Sequence, residues 1–210
     1  MVFDCLLEDV LSSSIFDSSL RKFFLRPISV AALKIMGWKR VGDIPEFPQA
    51  VVIGAFHTSN WDFVFTLLLA FDIGLPVRWM GKDSLFKRGF GGIMRWIGGI
   101  PIDRSRSKNV VEASIREIVS GRIRYLVIAP EGTRKRTERW KSGFYHIAKG
   151  AKVPIVMGFL DYKRKIGGLG PHIVPTDDMQ SDMARISEFY RTITAKYPAK
   201  AIGPDVSLTG

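Results

Sequence analysis

The sequence has almost no cysteine, because Cys5 is the single one among its 210 residues. One thiol cannot form a disulfide within the chain, and it cannot build a cysteine-rich metal site. The count therefore excludes a disulfide scaffold. It also predicts a protein of a reducing compartment.

Long apolar runs are also lacking. Residues 63–71 form one of the longest, and they fall far short of the roughly 20 residues that a membrane-spanning helix needs. Near the N-terminus, Asp4, Glu8 and Asp9 stand where a secretory signal would carry Lys or Arg. We therefore expect neither a transmembrane helix nor a signal peptide, and a protein of this kind that contacts a membrane would lie on its surface.

Basic charge is abundant but confined to one region. The formal net charge is +11, and residues 78–165 contain 21 Lys and Arg against 7 Asp and Glu, which is +14 in that region alone. Hydrophobic residues at 46% and charged residues at 24% are typical of a folded chain, and 210 residues suit one domain. A basic region inside a folded domain predicts an anionic partner: nucleic acid, a phospholipid surface or a phosphorylated small molecule.

Apolar runs typical of buried strands alternate with helical patterns after residue 50. The strands are predicted at residues 50–56, 77–80, 100–102, 125–129 and 153–160. The helices are predicted at residues 60–70, 84–97, 108–119, 144–149 and 178–196, and the second of them is predicted to be broken by Gly89, Gly91 and Gly92. This alternation predicts an α/β fold: a single domain with a largely parallel mixed sheet flanked by helices, preceded by N-terminal amphipathic helices.

The N-terminal residues 20–38 combine Phe, Leu, Ile and Met with interspersed basic residues, and Pro27 suits the start of a second helix. Two uses fit the apolar face of this segment. It packs on the rest of the domain, or it anchors the protein at a membrane interface with Phe23, Phe24 and Trp38 in lipid. We divide the chain into an amphipathic helical segment, an α/β domain and a tail, at residues 1–45, 46–198 and 199–210.

Polar residues follow the predicted strands, where ligands of parallel sheets bind. His57 comes directly after the strand at residues 50–56, and Asp62 stands in the first turn of the next helix. Within one helix, a separation of five positions would point the two side chains roughly 140° apart. They meet only if His57 lies on the turn before the helix. The two residues are then a base with the carboxylate that orients it, or a structural pair.

Two further polar clusters follow other strands. Arg104 can bind a phosphate with two hydrogen bonds, or it forms an ordinary surface pair with Asp103. In the second cluster, Gly132 lets the backbone approach a ligand, Thr133 donates a hydrogen bond and Arg134 supplies charge; alternatively, the cluster is a plain turn. Three clusters that follow three strands would converge on one crevice.

Four blocks of this chain resemble, in order and spacing, those of the glycerolipid acyltransferase family that includes 1-acylglycerol-3-phosphate acyltransferase. The likeness extends over residues 47–160, more than half of the chain. The blocks are His57-x4-Asp62, Gly99-x-Pro101-Ile102-Asp103-Arg104, Pro130-Glu131-Gly132-Thr133-Arg134 and Val153-Pro154-Ile155-Val156.

The resemblance implies that residues 46–198 are an acyltransferase domain. Such a domain transfers a fatty acyl group from an acyl thioester, acyl-CoA or acyl carrier protein, to the hydroxyl of a lysophospholipid-type acceptor such as 1-acylglycerol-3-phosphate. It also implies that His57 is the general base and that Asp62 fixes its tautomer. The implied acceptor site consists of Lys82, Arg104, Glu131, Gly132, Thr133 and Arg134. No metal or other cofactor is expected, because a thioester reacts without one.

Two alternatives stay open at this point. The same mechanism would serve a different lipid or small-molecule acceptor, since Lys135 and Arg136 follow Arg134 where a small polar residue is common in the family. The second alternative is a basic nucleic-acid-binding module. The sequence contains no recognisable nucleic-acid-binding motif, so we expect no nucleic-acid partner. We expect the remaining cations to face an anionic membrane surface, with the protein peripheral on the cytoplasmic side.

Overall fold

The computed structural model of the protein describes residues 14–18, 21–87, 89–102, 107–201 and 208–209. The α-helices in these ranges are α1 (Arg26–Ile35), α2 (Asn60–Ile73), α3 (Gly91–Trp96), α4 (Ser107–Val119), α5 (Gly143–Ala151) and α6 (Met179–Tyr190). A π-helical turn, Arg21–Leu25, leads into α1, and short 3-10 turns occupy Ile15–Asp17, Asp83–Leu85 and Pro198–Lys200.

Seven strands form one sheet in the order β1-β8-β7-β2-β5-β3-β4, and β6 pairs with β9 separately. The strands are β1 (Lys39–Val41), β2 (Ala50–Gly54), β3 (Val77–Lys82), β4 (Gly99–Ile102), β5 (Tyr125–Ile128), β6 (Trp140–Lys141), β7 (Ile155–Asp161), β8 (Ile166–Ile173) and β9 (Leu208–Thr209). Within the large sheet, the β7–β8 pairing is antiparallel and the other pairings are parallel. The predicted α/β domain with a largely parallel mixed sheet is confirmed.

The central strand β2 is buried on both faces, which explains its unbroken run of apolar residues. Successive side chains of a strand point to opposite faces of the sheet. Val51 and Ile53 belong to the hydrophobic cluster that includes side chains of α4, α5 and α6. Ala50 and Val52 belong to a second cluster, which includes side chains of α2. Helices therefore cover both faces, and the site can form only at an edge.

The antiparallel strand β8 was missed by the sequence prediction. Strand β8 contains glycines, which are depleted in strands and gave no strand signal. The structure nevertheless requires one of them. Gly168 has a φ of +142°, and a Cβ atom there would lie 2.0 Å from the carbonyl oxygen of Val41. The close approach of β1, which belongs to the N-terminal residues 1–45, therefore depends on this glycine.

One helix prediction was wrong in extent. The break predicted at the glycines of residues 84–97 is present: a 3-10 turn at Asp83–Leu85 and the short helix α3 lie on either side of Gly89, which has a φ of +42°. The helix predicted to reach residue 196 ends at Tyr190. The chain turns there because later backbone groups bond elsewhere: Thr194 accepts a hydrogen bond from the Tyr162 N–H, and the Tyr197 N–H donates to Thr58 Oγ1.

The N-terminal helical segment has one buried face and one exposed apolar face. Leu33 of α1 is buried with Trp38 and Phe65, so one face packs on the domain. Trp38 stacks on Phe65 at 4.2 Å between ring centroids and is 6% exposed, so its predicted place in lipid was wrong. The opposite side carries exposed apolar side chains, including Phe23, Phe24, Ile28 and Ile35. Within the described ranges, no helix has both the length and the apolar character that a membrane crossing requires.

We predict that Gly168→Ala lowers the free energy of unfolding by roughly 2–4 kcal/mol, because the new methyl group collides with the backbone of β1. Gly92→Ala is the matched control, since no heavy atom lies within 4 Å of a Cβ built at that position. Its effect should stay within about 1 kcal/mol. Urea denaturation measures both values, and equal effects of the two substitutions would contradict the steric argument.

Candidate active site

Polar side chains converge where β2, β5 and β7 end. Both β5 and β7 pair in parallel with β2, with Val51 opposite Leu126 on one side and Ile155 on the other. The carboxyl ends of the three strands therefore lie at one edge of the sheet. His57, Glu131 and Tyr162 follow those ends within a few residues. This edge is the place where ligands of parallel sheets bind.

His57 and Asp62 meet because His57 lies before helix α2. The helix begins at Asn60, with Ser59 as its N-cap and Asp62 at the third helical position. Asp62 Oδ2 accepts hydrogen bonds of 2.7 Å each from the N–H groups of Thr58 and Ser59. These bonds fold the loop back over the helix end, and they place His57 Nδ1 3.7 Å from the same oxygen. That separation is an electrostatic contact rather than a hydrogen bond.

The surroundings of His57 favour the neutral imidazole. Its side chain is 28% exposed. Burial lowers the pKa of His57 below the ordinary 6.5, the nearby Asp62 carboxylate raises it again in part, and the positive charge of Arg134 lowers it. The net effect is a lower pKa, so His57 is neutral at pH 7 and can accept a proton.

Glu131 lies beneath the loop that carries His57. The residue is 7% exposed, and its Oε1 accepts a hydrogen bond of 3.2 Å from the His57 N–H. Its other oxygen, Oε2, is buried and has no hydrogen-bond partner among the residues that the structure describes. Burial raises the pKa of Glu131 from 4.5 to about 7, the backbone hydrogen bonds at Glu131 and His57 oppose this shift, and Asp62 adds to it. Near neutral pH this carboxyl is therefore partly protonated.

The loop after Glu131 is a turn that presents one cation to the site. Gly132 has a φ of +62°, in the region that favours glycine, and its N–H donates to Ala129 O at 3.0 Å. Thr133 Oγ1 accepts a hydrogen bond of 3.2 Å from the Lys135 N–H, so this hydroxyl is engaged inside the turn. Arg134 is exposed, and its charge acts on His57.

The other two predicted cations, Lys82 and Arg104, are not part of the cluster around His57: one lies on a neighbouring strand and the other lies outside the described residues. Lys82 is the exposed last residue of β3, which pairs with β5, so it lies at the same edge of the sheet. Arg104 and Asp103 lie outside the described residues, and β4 ends at Ile102 just before them. The structure thus brings His57, Asp62, Glu131 and Arg134 together and leaves Lys82 on a neighbouring strand.

Two contributors to this region were missed by the sequence prediction. Tyr162 directly follows β7, and its hydroxyl donates a hydrogen bond of 2.6 Å to Asp62 Oδ1. The rule that ligands gather beyond strand ends would have found it, had it been applied to the strand predicted at residues 153–160. Lys196 Nζ lies 5.2 Å from the ring centroid of Trp61 and 5.7 Å from that of Tyr162. No sequence pattern signals this second contact.

Comparison with known proteins identifies the class to which this fold and site belong. Residues 40–157, more than half of the chain, match the family model described as Acyltransferase, and the chain belongs to this family. The resemblance drawn from the four sequence blocks is confirmed at that level, and the protein is an acyltransferase.

One solved structure has a similar fold: the 1-acyl-sn-glycerophosphate (LPA) acyltransferase, PlsC, from Thermotoga maritima. The two chains share 16% sequence identity with a TM-score of 0.57, over 90% of this chain and 85% of that one. At this identity the likeness concerns the fold. No curated protein sequence matches the chain.

We predict that Glu131→Gln makes the stability of the protein less dependent on pH between about pH 5 and about pH 8. A carboxyl whose pKa is raised from 4.5 to about 7 by folding stabilises the fold while protonated, and this contribution is lost as the pH rises through that range. The free energy of unfolding of the variant relative to wild type should therefore increase by roughly 1–3 kcal/mol between about pH 5 and about pH 8.

Urea denaturation at the two pH values measures this difference. The control is Glu112→Gln, which changes an exposed carboxyl on α4 in the same way. A Glu131→Gln variant whose relative stability is the same at both pH values would show that Glu131 ionises freely in the fold.

Proposed function

We propose that this acyltransferase moves a fatty acyl group from an acyl thioester, acyl-CoA or acyl carrier protein, to the hydroxyl of a lysophospholipid-type acceptor such as 1-acylglycerol-3-phosphate. The observation that carries the proposal is the placement of His57 and Asp62, 3.7 Å apart, at the sheet edge of a chain from the acyltransferase family. The fold it shares with a 1-acyl-sn-glycerophosphate acyltransferase supports this choice of acceptor.

In the proposed mechanism, His57 acts as the general base. Its Nδ1 is the nitrogen nearer to Asp62, which leaves Nε2 to take the proton of the acceptor hydroxyl. The hydroxyl oxygen attacks the thioester carbonyl, and a tetrahedral intermediate forms. The carbon–sulfur bond then breaks, and the imidazolium returns its proton to the leaving thiolate. Asp62 stabilises the imidazolium between these two proton transfers.

Arg134 is the proposed contact for the phosphate of the acceptor. Its guanidinium is exposed and near enough to His57 to influence the pKa of that side chain. A phosphate held there would place the rest of the acceptor beside the imidazole. Lys82 ends β3, Arg104 comes two residues after the end of β4 in the sequence, and we propose both as additional contacts. Lys135 and Arg136 add exposed positive charge to the same loop, which would also suit an acceptor with a second anionic group.

We expect His57→Ala to reduce acyl transfer by about 10²–10⁴-fold, because the variant lacks the base. The assay follows thioester consumption with lysophosphatidic acid, other lysophospholipids and glycerol phosphates, using both donor types. His146→Ala is the control, since His146 is exposed and belongs to none of the four blocks. Full activity of His57→Ala would refute the assigned base.

The pH profile of the wild type provides a second readout of the same proposal. Because the pKa of His57 is lowered, the acidic fall of kcat/KM should have its midpoint below pH 6.5. Arg134→Met removes a charge that lowers this pKa, so the acidic fall should begin at a higher pH. The difference between the two profiles should shrink at high salt, since Arg134 is exposed.

We also propose that the protein is peripheral, on the cytoplasmic side of a membrane with anionic lipids. The exposed face at the N-terminal helices carries Phe23 at 80%, Phe24 at 59% and Ile35 at 85% exposure. The cations Arg26 and Lys34 are exposed on the same short segment. Large aromatic side chains beside basic residues are typical of helices that lie in a membrane interface.

Binding to phosphatidylglycerol vesicles should exceed binding to phosphatidylcholine vesicles, and it should weaken with salt by about 1 kcal/mol for each engaged cation that is screened. The double substitution Phe23→Ser and Phe24→Ser should reduce vesicle binding at least about tenfold, because it removes two rings that the membrane would bury. Phe90→Ser and Ile93→Ser together form the matched control on the other exposed apolar segment. A larger loss in the control would move the anchor to that segment.

A further inference from the structure

Asp62 uses its two oxygens for two different contacts. Oδ2 accepts from the N–H groups of Thr58 and Ser59 and faces His57 Nδ1. Oδ1 accepts a hydrogen bond from the hydroxyl of Tyr162, with 2.6 Å between the two oxygens, a short distance typical of hydroxyl–carboxylate hydrogen bonds. The carboxylate is buried, with 4% of its side chain exposed, so each of these donors replaces hydration that was lost on folding.

We propose that Tyr162 is a positioning residue of the active site, which acts on His57 through Asp62. This inference rests on the function proposed above. The Tyr162 hydroxyl fixes the plane of the Asp62 carboxylate and draws negative charge toward Oδ1, away from the oxygen that faces the imidazole. Tyr162 thereby sets both the orientation of the carboxylate and the strength with which it attracts a proton on His57.

The ring of Tyr162 is held in place from several sides, as a positioning role requires. It packs edge-on against Trp38, at 5.0 Å between ring centroids, and against Phe65, at 5.9 Å. Phe65 stands three residues after Asp62 on α2, so the ring and its acceptor are held by the same helix. The Tyr162 N–H donates to Thr194 O at 2.9 Å, which ties the residue to the segment after α6.

The same segment also reaches the His57 loop. The Tyr197 N–H donates to Thr58 Oγ1 at 3.3 Å, and Thr58 is the neighbour of His57. Between these two anchor points, Lys196 Nζ lies over the rings of Trp61 and Tyr162. The chain after α6 therefore contacts both Tyr162, at the end of β7, and the loop after β2 that carries His57.

The charges around His57 and Asp62 determine how a substitution of Tyr162 would affect the protonation of His57. Asp62 faces His57, while Glu131 lies beneath the loop, Arg134 acts on the imidazole, and Lys196 and Tyr197 lie on the segment after α6. Burial raises the pKa of the Tyr162 hydroxyl, and the Asp62 carboxylate raises it further. The hydroxyl therefore remains a protonated donor across the pH range of an enzyme assay.

The decisive variant is Tyr162→Phe, which keeps the ring and removes the hydroxyl. We expect kcat to fall about tenfold, the size expected when a charged group loses one hydrogen bond. The KM for the acceptor should change by less than about twofold, since Tyr162 is not proposed to touch the acceptor. The acidic limb of kcat/KM should move to higher pH, because Asp62 then stabilises the imidazolium more strongly.

Tyr145→Phe is the matched control. The Tyr145 hydroxyl donates to Asp182 Oδ2 at 2.8 Å and to Thr176 O at 2.9 Å, so this variant also removes a tyrosine–aspartate hydrogen bond, here between α5 and α6. If Tyr162 only supports the fold, both variants lower the melting temperature by similar amounts and neither moves the pH profile. That result would overturn the inference.

Titration of the His57 imidazole by NMR, without substrate, separates this inference from the proposed function. We expect the His57 signal to titrate at a higher pH in Tyr162→Phe than in wild type, and at an unchanged pH in Tyr145→Phe. If no acceptor is acylated by the wild type, the proposed function fails, while the shifted titration still supports the link through Asp62. An unchanged titration of His57 in Tyr162→Phe overturns the link, whatever the activity.

Discussion

The buried carboxylate of Asp62 is the interaction on which the geometry of the site depends. A buried charge is costly unless hydrogen bonds replace its water, and the N-terminal end of a helix favours negative charge. Asp62 meets both conditions at the start of α2, with donors from Thr58, Ser59 and Tyr162. The loop after β2, the helix α2 and the end of β7 are thereby held together. The position of His57 follows from this arrangement.

The sheet supplies the second constraint. Because β2 is covered by helices on both faces, polar side chains have room only at its edge, and the parallel strands β5 and β7 deliver Glu131 and Tyr162 to the same edge. Asp62 and Glu131 are buried there, and charges interact more strongly where solvent does not screen them. Burial lowers the pKa of His57 and raises the pKa of Glu131, because it disfavours the charged form of each side chain.

Much of the fold was predictable because buried strands and their helices have distinct periods and lengths. The strands β2, β3, β4, β5 and β7 fall within about two residues of the predicted runs. Strand β8, which lies between β1 and β7, was not predictable, since glycines have a low strand propensity and their positions here are set by contacts with β1. The end of α6 at Tyr190 was missed for a related reason: hydrogen bonds from distant residues, rather than local preference, end the helix there.

For the site itself, the sequence alone determined which chemical groups are present and that His57 must lie outside the helix to meet Asp62. This follows from helix geometry, which is local. Only the tertiary structure decided that Glu131 lies beneath the His57 loop, that Tyr162 donates to Asp62 and that Trp38 belongs to the core. Tyr162 and Asp62 are separated by 100 residues in the chain. No local pattern can encode such a contact, because the packing of β7 beside β2 creates it.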